Sequence, residues 1–305
     1  MKIGVIGEPL VELSLPDEQG EILQRRPGGD SLNMAIYLAR LLDRNRYRLS
    51  YLTRLGDDAT SRWLTAELTA EGIDTGLIGI EAGGQPGLCQ IENLADGDRR
   101  FAYWRSDTPA RRMFHGQNRP PIASLDGFDM LIFSAVTLAI LPPVARDILL
   151  QRVTALARAG KAVVFDTNYR PALWHSAGIA RQWIERASDP ATLLMPTTDD
   201  LRPLYDFNSS ASLFHMLADR YQGDIVLKDG GHPVRTRIDG DSGIFHLDCS
   251  GPRVDTTGAG DSFNAGFIAA RISGKTPEDA VAAGHRLASI VVAHRNAVIP
   301  ISAMP

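Results

Sequence analysis

Apolar positions along this chain follow two rhythms. Short aliphatic or β-branched runs at residues 2–6, 48–53, 130–134, 161–166, 192–195 and 224–228 are bounded by polar or turn residues, which predicts buried strands. Between them the spacing lengthens to the helical period. Residues 31–42 put Met34, Tyr37, Leu38 and Leu41 on one face, and residues 59–71 and 143–159 show similar spacing. Alternating strand and helix predict an α/β fold. A mostly parallel sheet is covered by helices on both faces, and ligands bind beyond the carboxyl ends of its strands.

Two stretches break that rhythm. Residues 10–26 carry Val11, Leu13 and Leu15 alternating with Glu12 and Ser14. Residues 87–105 read as two strands, 88–92 and 99–105, joined through Ala95-Asp96-Gly97-Asp98. Asp-Gly between such runs is a hairpin signal. Each stretch leaves the core at the end of a core strand. Together they predict a small antiparallel β lid of residues 10–27 and 87–105, on a core of residues 1–9, 28–86 and 106–305.

Composition narrows the classes. With 305 residues, 44% hydrophobic and 22% charged, the chain can bury a full core without disulfide or metal staples. A formal net charge of −4 argues against a nucleic-acid partner. The longest uncharged run, residues 130–145, is broken by Pro142 and Pro143 and falls short of the ~20 residues of a membrane helix. Cys89 and Cys249 are the only cysteines and predict free thiols in a reducing cytosol. His175, His285 and His294 have no zinc-ligand spacing. A soluble cytoplasmic protein with no membrane partner is expected.

The densest local signal is Asp255-Thr256-Thr257-Gly258-Ala259-Gly260-Asp261-Ser262, just before a helical run. A helix N-terminus offers unpaired N–H groups and partial positive charge. Gly258 and Gly260 let the backbone approach a ligand, and Asp261 in the first turn is placed to take a proton from a hydroxyl. Read alone, the stretch fits a capped helix start equally well. No Gly-Lys-Ser/Thr follows, so it is not a Walker loop, and residues 4–8 lack the third glycine of a dinucleotide fingerprint. A second signal, Gly28-Gly29-Asp30-Ser31-Leu32-Asn33, sets two glycines and polar side chains before an amphipathic helix. They suit a polyol, or an ordinary helix start.

Taken together, in this order and at this separation, the two motifs resemble the N-terminal and C-terminal signatures of the PfkB, or ribokinase-like, carbohydrate kinases. The resemblance implies a three-layer α/β/α core with a β lid. Tyr103-Trp104-Arg105, residues 138–141, the stretch Phe165-Asp166-Thr167-Asn168-Tyr169-Arg170-Pro171 and the tail from Gly284-His285 to Ile299-Pro300 are similar to the 2-keto-3-deoxygluconate kinase branch. An acid sugar brings a carboxylate, and Arg105 and Arg170 are placed to clamp it with guanidinium forks.

The implied activity is ATP-dependent phosphorylation of the 6-hydroxyl of that sugar acid. Asp261 would be the base, and the amides of Gly258, Ala259 and Gly260 the anion hole. Gly28, Gly29, Asp30, Asn33, Tyr103, Arg105 and Arg170 would bind the sugar. Lys228, Gly230, Gly258, Gly260 and Ser289 would meet the nucleotide. Asp200 would act on Mg²⁺ through water, and Asp255 and Thr257 match a loop where many relatives bind a monovalent cation such as K⁺. Two departures stand out. Cys89 occupies a position where acid-sugar kinases often carry tyrosine, and the magnesium-organising Asn-x-x-Glu element appears as Thr197-Thr198-Asp199-Asp200. Trp104 alternates away from Tyr103 and Arg105, which predicts a core or oligomer contact and makes a homodimer through the lid an expectation. The alternatives are a PfkB kinase for another sugar and a sugar-binding relative without catalysis.

Overall fold

The computed structural model describes residues 1–14, 23–93, 99–114 and 120–305; the expected Asp96-Gly97 turn and Leu15 lie outside them. The chain opens with β1 (Lys2–Ile6), β2 (Leu10–Ser14), β3 (Gln24–Gly28) and α1 (Asp30–Leu41). Then follow β4 (Arg48–Leu52), β5 (Arg54–Gly56), α2 (Ala59–Ala70), β6 (Gly79–Glu81), β7 (Gly87–Asn93) and β8 (Arg99–Trp104). From there strands and helices alternate: β9 (Met130–Ser134), α3 (Ala135–Ile140), α4 (Pro143–Arg158), β10 (Ala162–Asp166), α5 (Ala177–Ser188) and β11 (Leu193–Leu194). The chain closes with α6 (Thr198–Leu201), α7 (Ser210–Arg220), β12 (Asp224–Leu227), β13 (Val234–Ile238), β14 (Asp241–Phe245), α8 (Ala259–Ile272) and α9 (Pro277–Val292).

The main sheet runs β14-β13-β12-β11-β10-β9-β1-β4. Neighbours from β12 to β4 are parallel, and β13 and β14 add an antiparallel edge. Alternation along the strands explains the layers. Ile3 and Val5 of β1 enter the core shared with α1, α8 and α9, whereas Ile6 enters the one shared with α3, α4, α5 and α7. Met130 and Ile132 of β9 part from Leu131 and Phe133 in the same way. A strand apolar on both faces is buried on both faces, and each such side chain stabilises by about 1.5–3 kcal/mol.

Helix α1 departs from the single apolar face expected of it. Every residue from Ser31 to Ala39 is buried, because α1 packs on β1, β4 and β9 and also against α8. The β13–β14 hairpin was not among the expected strands. Its turn, Asp239-Gly240, has φ of 53° and 89° and is the same Asp-Gly signal used for the lid.

The lid is a four-stranded sheet in the order β3-β2-β7-β8. It is mixed, not antiparallel as expected: β2–β3 and β7–β8 are antiparallel, but β2 and β7 pair in parallel. Each is the outgoing strand of its excursion, so where they meet in the middle they run the same way. Among the described residues no helix is long and apolar enough to cross a membrane.

Candidate active site

Beyond the carboxyl ends of β1, β9, β10 and β12 lies a cleft of about 660 Å³ between core and lid. That is where an open parallel sheet leaves room for a ligand. Gly29, Asp30, Asn33, Tyr103, Arg105, Arg170, Asp200, Lys228, Gly230, Thr257 and residues 258–261 all line it. The cleft therefore gathers motifs from both ends of the chain.

Helix α8 enters the cleft by its N-terminus. Gly258 caps it with φ of 77°, and a Cβ there would come within 2.7 Å of the Ala297 carbonyl oxygen. Only glycine fits both the left-handed backbone and the close approach. No side chain caps the helix, and among the described residues the amides of Gly258 and Gly260 have no hydrogen-bond partner. The amide of Ala259 differs from expectation. It donates to the Thr256 carbonyl at 3.2 Å, because it closes the turn that starts the helix. Two of the three expected donors are thus turned outward for an anion.

Asp261 lies in the first turn of α8 and is 8% exposed. Its Oδ2 accepts a 2.9 Å hydrogen bond from Asn33 Nδ2 of α1. Burial, with the charge of Asp30 added and against the Asn33 hydrogen bond, pushes its carboxyl up to about 8. A carboxyl so raised is matched to taking a proton near neutral pH.

Beneath it lies a buried polar network that joins the expected Lys228 and Asp30 to Asp166, Asn264, Ser134 and Asn168, for which the sequence predicted no role. Lys228 Nζ donates to Asn264 Oδ1 at 2.7 Å and stands 3.8 Å from Asp166, which also accepts from Asn264 Nδ2 at 3.0 Å. Burial holds the Asp166 carboxyl up to about 6 even against the Lys228 ammonium. Asp30 accepts from Ser134 Oγ and from Asn168 Nδ2 at 3.2 Å. Ser134, Asp166 and Lys228 each end or follow a strand of the main sheet. A polar residue closing an apolar run was the signal available for them.

The lid supplies the facing wall. Register pairs Cys89 with Tyr103 and Ile91 with Phe101, so these share the cleft-facing side with Leu10 and Arg105. The Phe101 and Tyr103 rings stack at 6.3 Å. Burial pushes the Cys89 thiol up to about 11, so it is an inert neighbour of Tyr103 rather than a nucleophile. Trp104 falls on the other side and is 56% exposed, which excludes the core contact considered for it. Both cysteines are free.

The two arginines already have carboxylate partners. Arg105 donates to Glu8, and Arg170 Nη1 donates to Asp200 Oδ1 at 3.2 Å. Asp255 accepts from the amides of Thr257 at 3.0 Å and Asn296 at 2.6 Å, which ties the loop before α8 to the chain end. Gly28 and Ser289 do not line the cleft. Gly28 closes β3 against Glu12, and Ser289 meets His285, which lines the cleft in its place. Among the described residues no three His, Cys, Asp or Glu side chains could hold a metal between them. Asp199 and Asp200 line the cleft as hard oxygen donors, a set that fits Mg²⁺ held mostly by phosphate and water.

Comparison with known proteins agrees with this geometry. Residues 2–304 match the model of the pfkB family carbohydrate kinases. The chain is 35% identical to the 2-dehydro-3-deoxygluconokinase of Escherichia coli K12, covering 100% of this chain and 99% of that one. It is 35% identical to the 2-dehydro-3-deoxygluconokinase of Dickeya dadantii, covering 99% and 98%. A PfkB protein from Polaromonas sp. JS666 superposes with a TM-score of 0.81 at 27% identity, over 96% of this chain and 95% of the other. With the α8 N-terminus, the raised Asp261 and the lid on one cleft, the chain belongs to the pfkB family of carbohydrate kinases.

Proposed function

We propose that this protein transfers the γ-phosphoryl group of ATP to the 6-hydroxyl of 2-keto-3-deoxygluconate. The observation that carries this reading is the presence of Arg105 and Arg170 in the same cleft as Asp261. Full-length identity to 2-dehydro-3-deoxygluconokinases supports it.

Asp261 takes the hydroxyl proton, and the free amides of Gly258 and Gly260 hold the charge that develops on the transferred group. Asn33 keeps the carboxylate oriented. Arg170, 57% exposed and held to Asp200 by one bond, turns to the substrate carboxylate. Mg²⁺ neutralises phosphate charge when bound, and Asp199 and Asp200 are the residues that would hold it or its waters. Lys228 holds Asp166 and Asn264 beneath the nucleotide side, with Gly230 at its edge. The lid, residues 10–27 and 87–105, excludes water when closed. Its outer face, with Trp104, is the surface for a second copy of the chain; a monomer by light scattering would remove that point. A rate indifferent to K⁺ would remove a cation from the Asp255–Thr257 loop.

The test is ADP release with ATP and Mg²⁺ against 2-keto-3-deoxygluconate, its galactonate epimer, gluconate, fructose, ribose and adenosine. Turnover on the keto-deoxy acids is expected. Turnover on fructose or ribose alone would keep the kinase and overturn the acid-sugar assignment.

A further inference from the structure

Glu8 lies two residues after β1, does not itself line the cleft and is 1% exposed. A carboxylate is almost never buried to that degree without partners that offset its lost hydration. Here Oε2 accepts from both Nε, at 2.8 Å, and Nη2 of Arg105, which lies 97 residues away just after β8. The other oxygen, Oε1, accepts from Thr108 Oγ1. Both carboxylate oxygens are therefore occupied, one by Arg105 at the end of the lid and the other by Thr108 of the core. The backbone is shaped around the same contact. A Cβ on Gly29 would come within 2.6 Å of the Glu8 carbonyl oxygen, and one on Gly87 would press on Arg105 Cβ at 3.1 Å.

Arginine has five N–H donors in a rigid fork. Glu8 engages the Nε–Nη2 edge, and among the described residues Nη1 donates to nothing. Arg105 also lines the cleft, with Tyr103 at 5.7 Å from its guanidinium carbon. One edge of the fork is fixed to the core, and the remaining donors are left for a ligand.

We propose that Glu8 is a positioning residue for the acid sugar. It pins the Arg105 guanidinium from behind and so presents the free donors of that arginine to the substrate carboxylate in one orientation. Glu8 itself does not touch the substrate. Thr108 fixes Glu8 in turn. This rests on the acid-sugar reading above, and it adds a residue that carries a charge of the same sign as the ligand it serves.

Steady-state kinetics of Glu8→Gln test it, with 2-keto-3-deoxygluconate and ATP varied separately and the melting temperature recorded. The amide keeps the shape but sets an N–H₂ group or a neutral oxygen against the arginine. The expected result is a KM for the sugar acid raised roughly ten- to a hundredfold, the range of one charge-assisted hydrogen bond. KM for ATP and kcat should stay within about twofold. Glu8→Asp, which restores the charge one methylene short, should recover part of the loss. Thr108→Val leaves no buried charge unpaired and carries the test if Glu8→Gln fails to fold; its expected rise is roughly two- to fivefold. A sugar KM unchanged in Glu8→Gln, or in Thr108→Val where that variant carries the test, would overturn the proposal. So would a parallel change in both KM values and kcat with a fallen melting temperature, the pattern of a structural contact. If the wild-type chain does not act on the sugar acid, the functional assignment falls first and this inference with it.

Discussion

At the floor of the cleft, Asp166 and Asp261 are buried; Asp166 is held by Asn264 and the Lys228 ammonium, and Asp261 Oδ2 by the Asn33 side-chain amide. On the lid wall, Phe101, Tyr103 and Trp104 are 40%, 52% and 56% exposed, and they stand on strands with water on one side or the other. The floor shifts proton affinities because it is dry and fixed. The wall is a separate sheet that presents aromatic surface to the cleft. On the function proposed above, Asp261 on the floor carries the chemistry and the lid wall part of the selectivity, so substitutions in one region are expected to leave the other largely untouched.

The largest effect should come from the floor. Asp261→Asn should lower kcat by about 10²–10⁴-fold in the ADP-release assay, the usual range for a lost general base. The same change should raise the melting temperature. The folded pKa of about 8 lies above the unfolded carboxylate value, so the wild-type protein loses stability as pH rises from about 4 to 8. The gap between variant and wild type should therefore widen over that window and level off above it. A variant less stable than wild type at pH 8 would show that Asp261 is held as a satisfied carboxylate. In the wild-type enzyme, kcat/KM for the sugar should climb with pH and flatten near 8.

Next in size is Lys228→Met. It removes the ammonium from Asp166 and Asn264 and should cost about 3–5 kcal/mol by chemical denaturation at pH 8. The loss should shrink at pH 5, where Asp166, with its carboxyl near 6, is already protonated. An equal loss at both pH values would mean that packing, not charge, holds Lys228.

The wall should respond differently. Tyr103→Ala should raise the sugar KM roughly tenfold with little change in kcat or melting temperature. Trp104→Ala, its neighbour on the outer side, should leave KM within about twofold. Equal effects of the two would break the two-sided description of the lid.

The same division decides what could be read before any coordinates. The parallel core was legible because Lys2–Ile6, Met130–Ser134 and Ala162–Asp166 are apolar on both faces, a pattern that only a covered strand tolerates. Asp261 and Gly258 were legible only through the paired motifs and the resemblance they carry, because read alone their stretch fits a capped helix start equally well. Lid topology was not. Alternation in Val11 and Leu13 specifies a strand and a face but says nothing of which partner lies beside it, so the parallel β2–β7 pairing stayed hidden. Glu8 was hidden for a related cause. A charged residue after a strand reads as a surface turn until Arg105, from a distant segment, is seen against it. The Ala259 amide, already spent within its turn, is a matter of tenths of an ångström that no residue type encodes.

The pairing of β2 with β7 has a practical consequence. Anyone wishing to exchange the substrate range of this enzyme with that of a relative will be tempted to graft the short Tyr103 hairpin alone. That hairpin is only half a sheet: its inner strand is hydrogen-bonded to residues 10–14, contributed from before α1. A chimera must carry both segments together, or the transplanted strand will meet a foreign neighbour along its whole length. The unit of exchange is a pair of sequence islands, and libraries that shuffle this family at a single crossover will separate them.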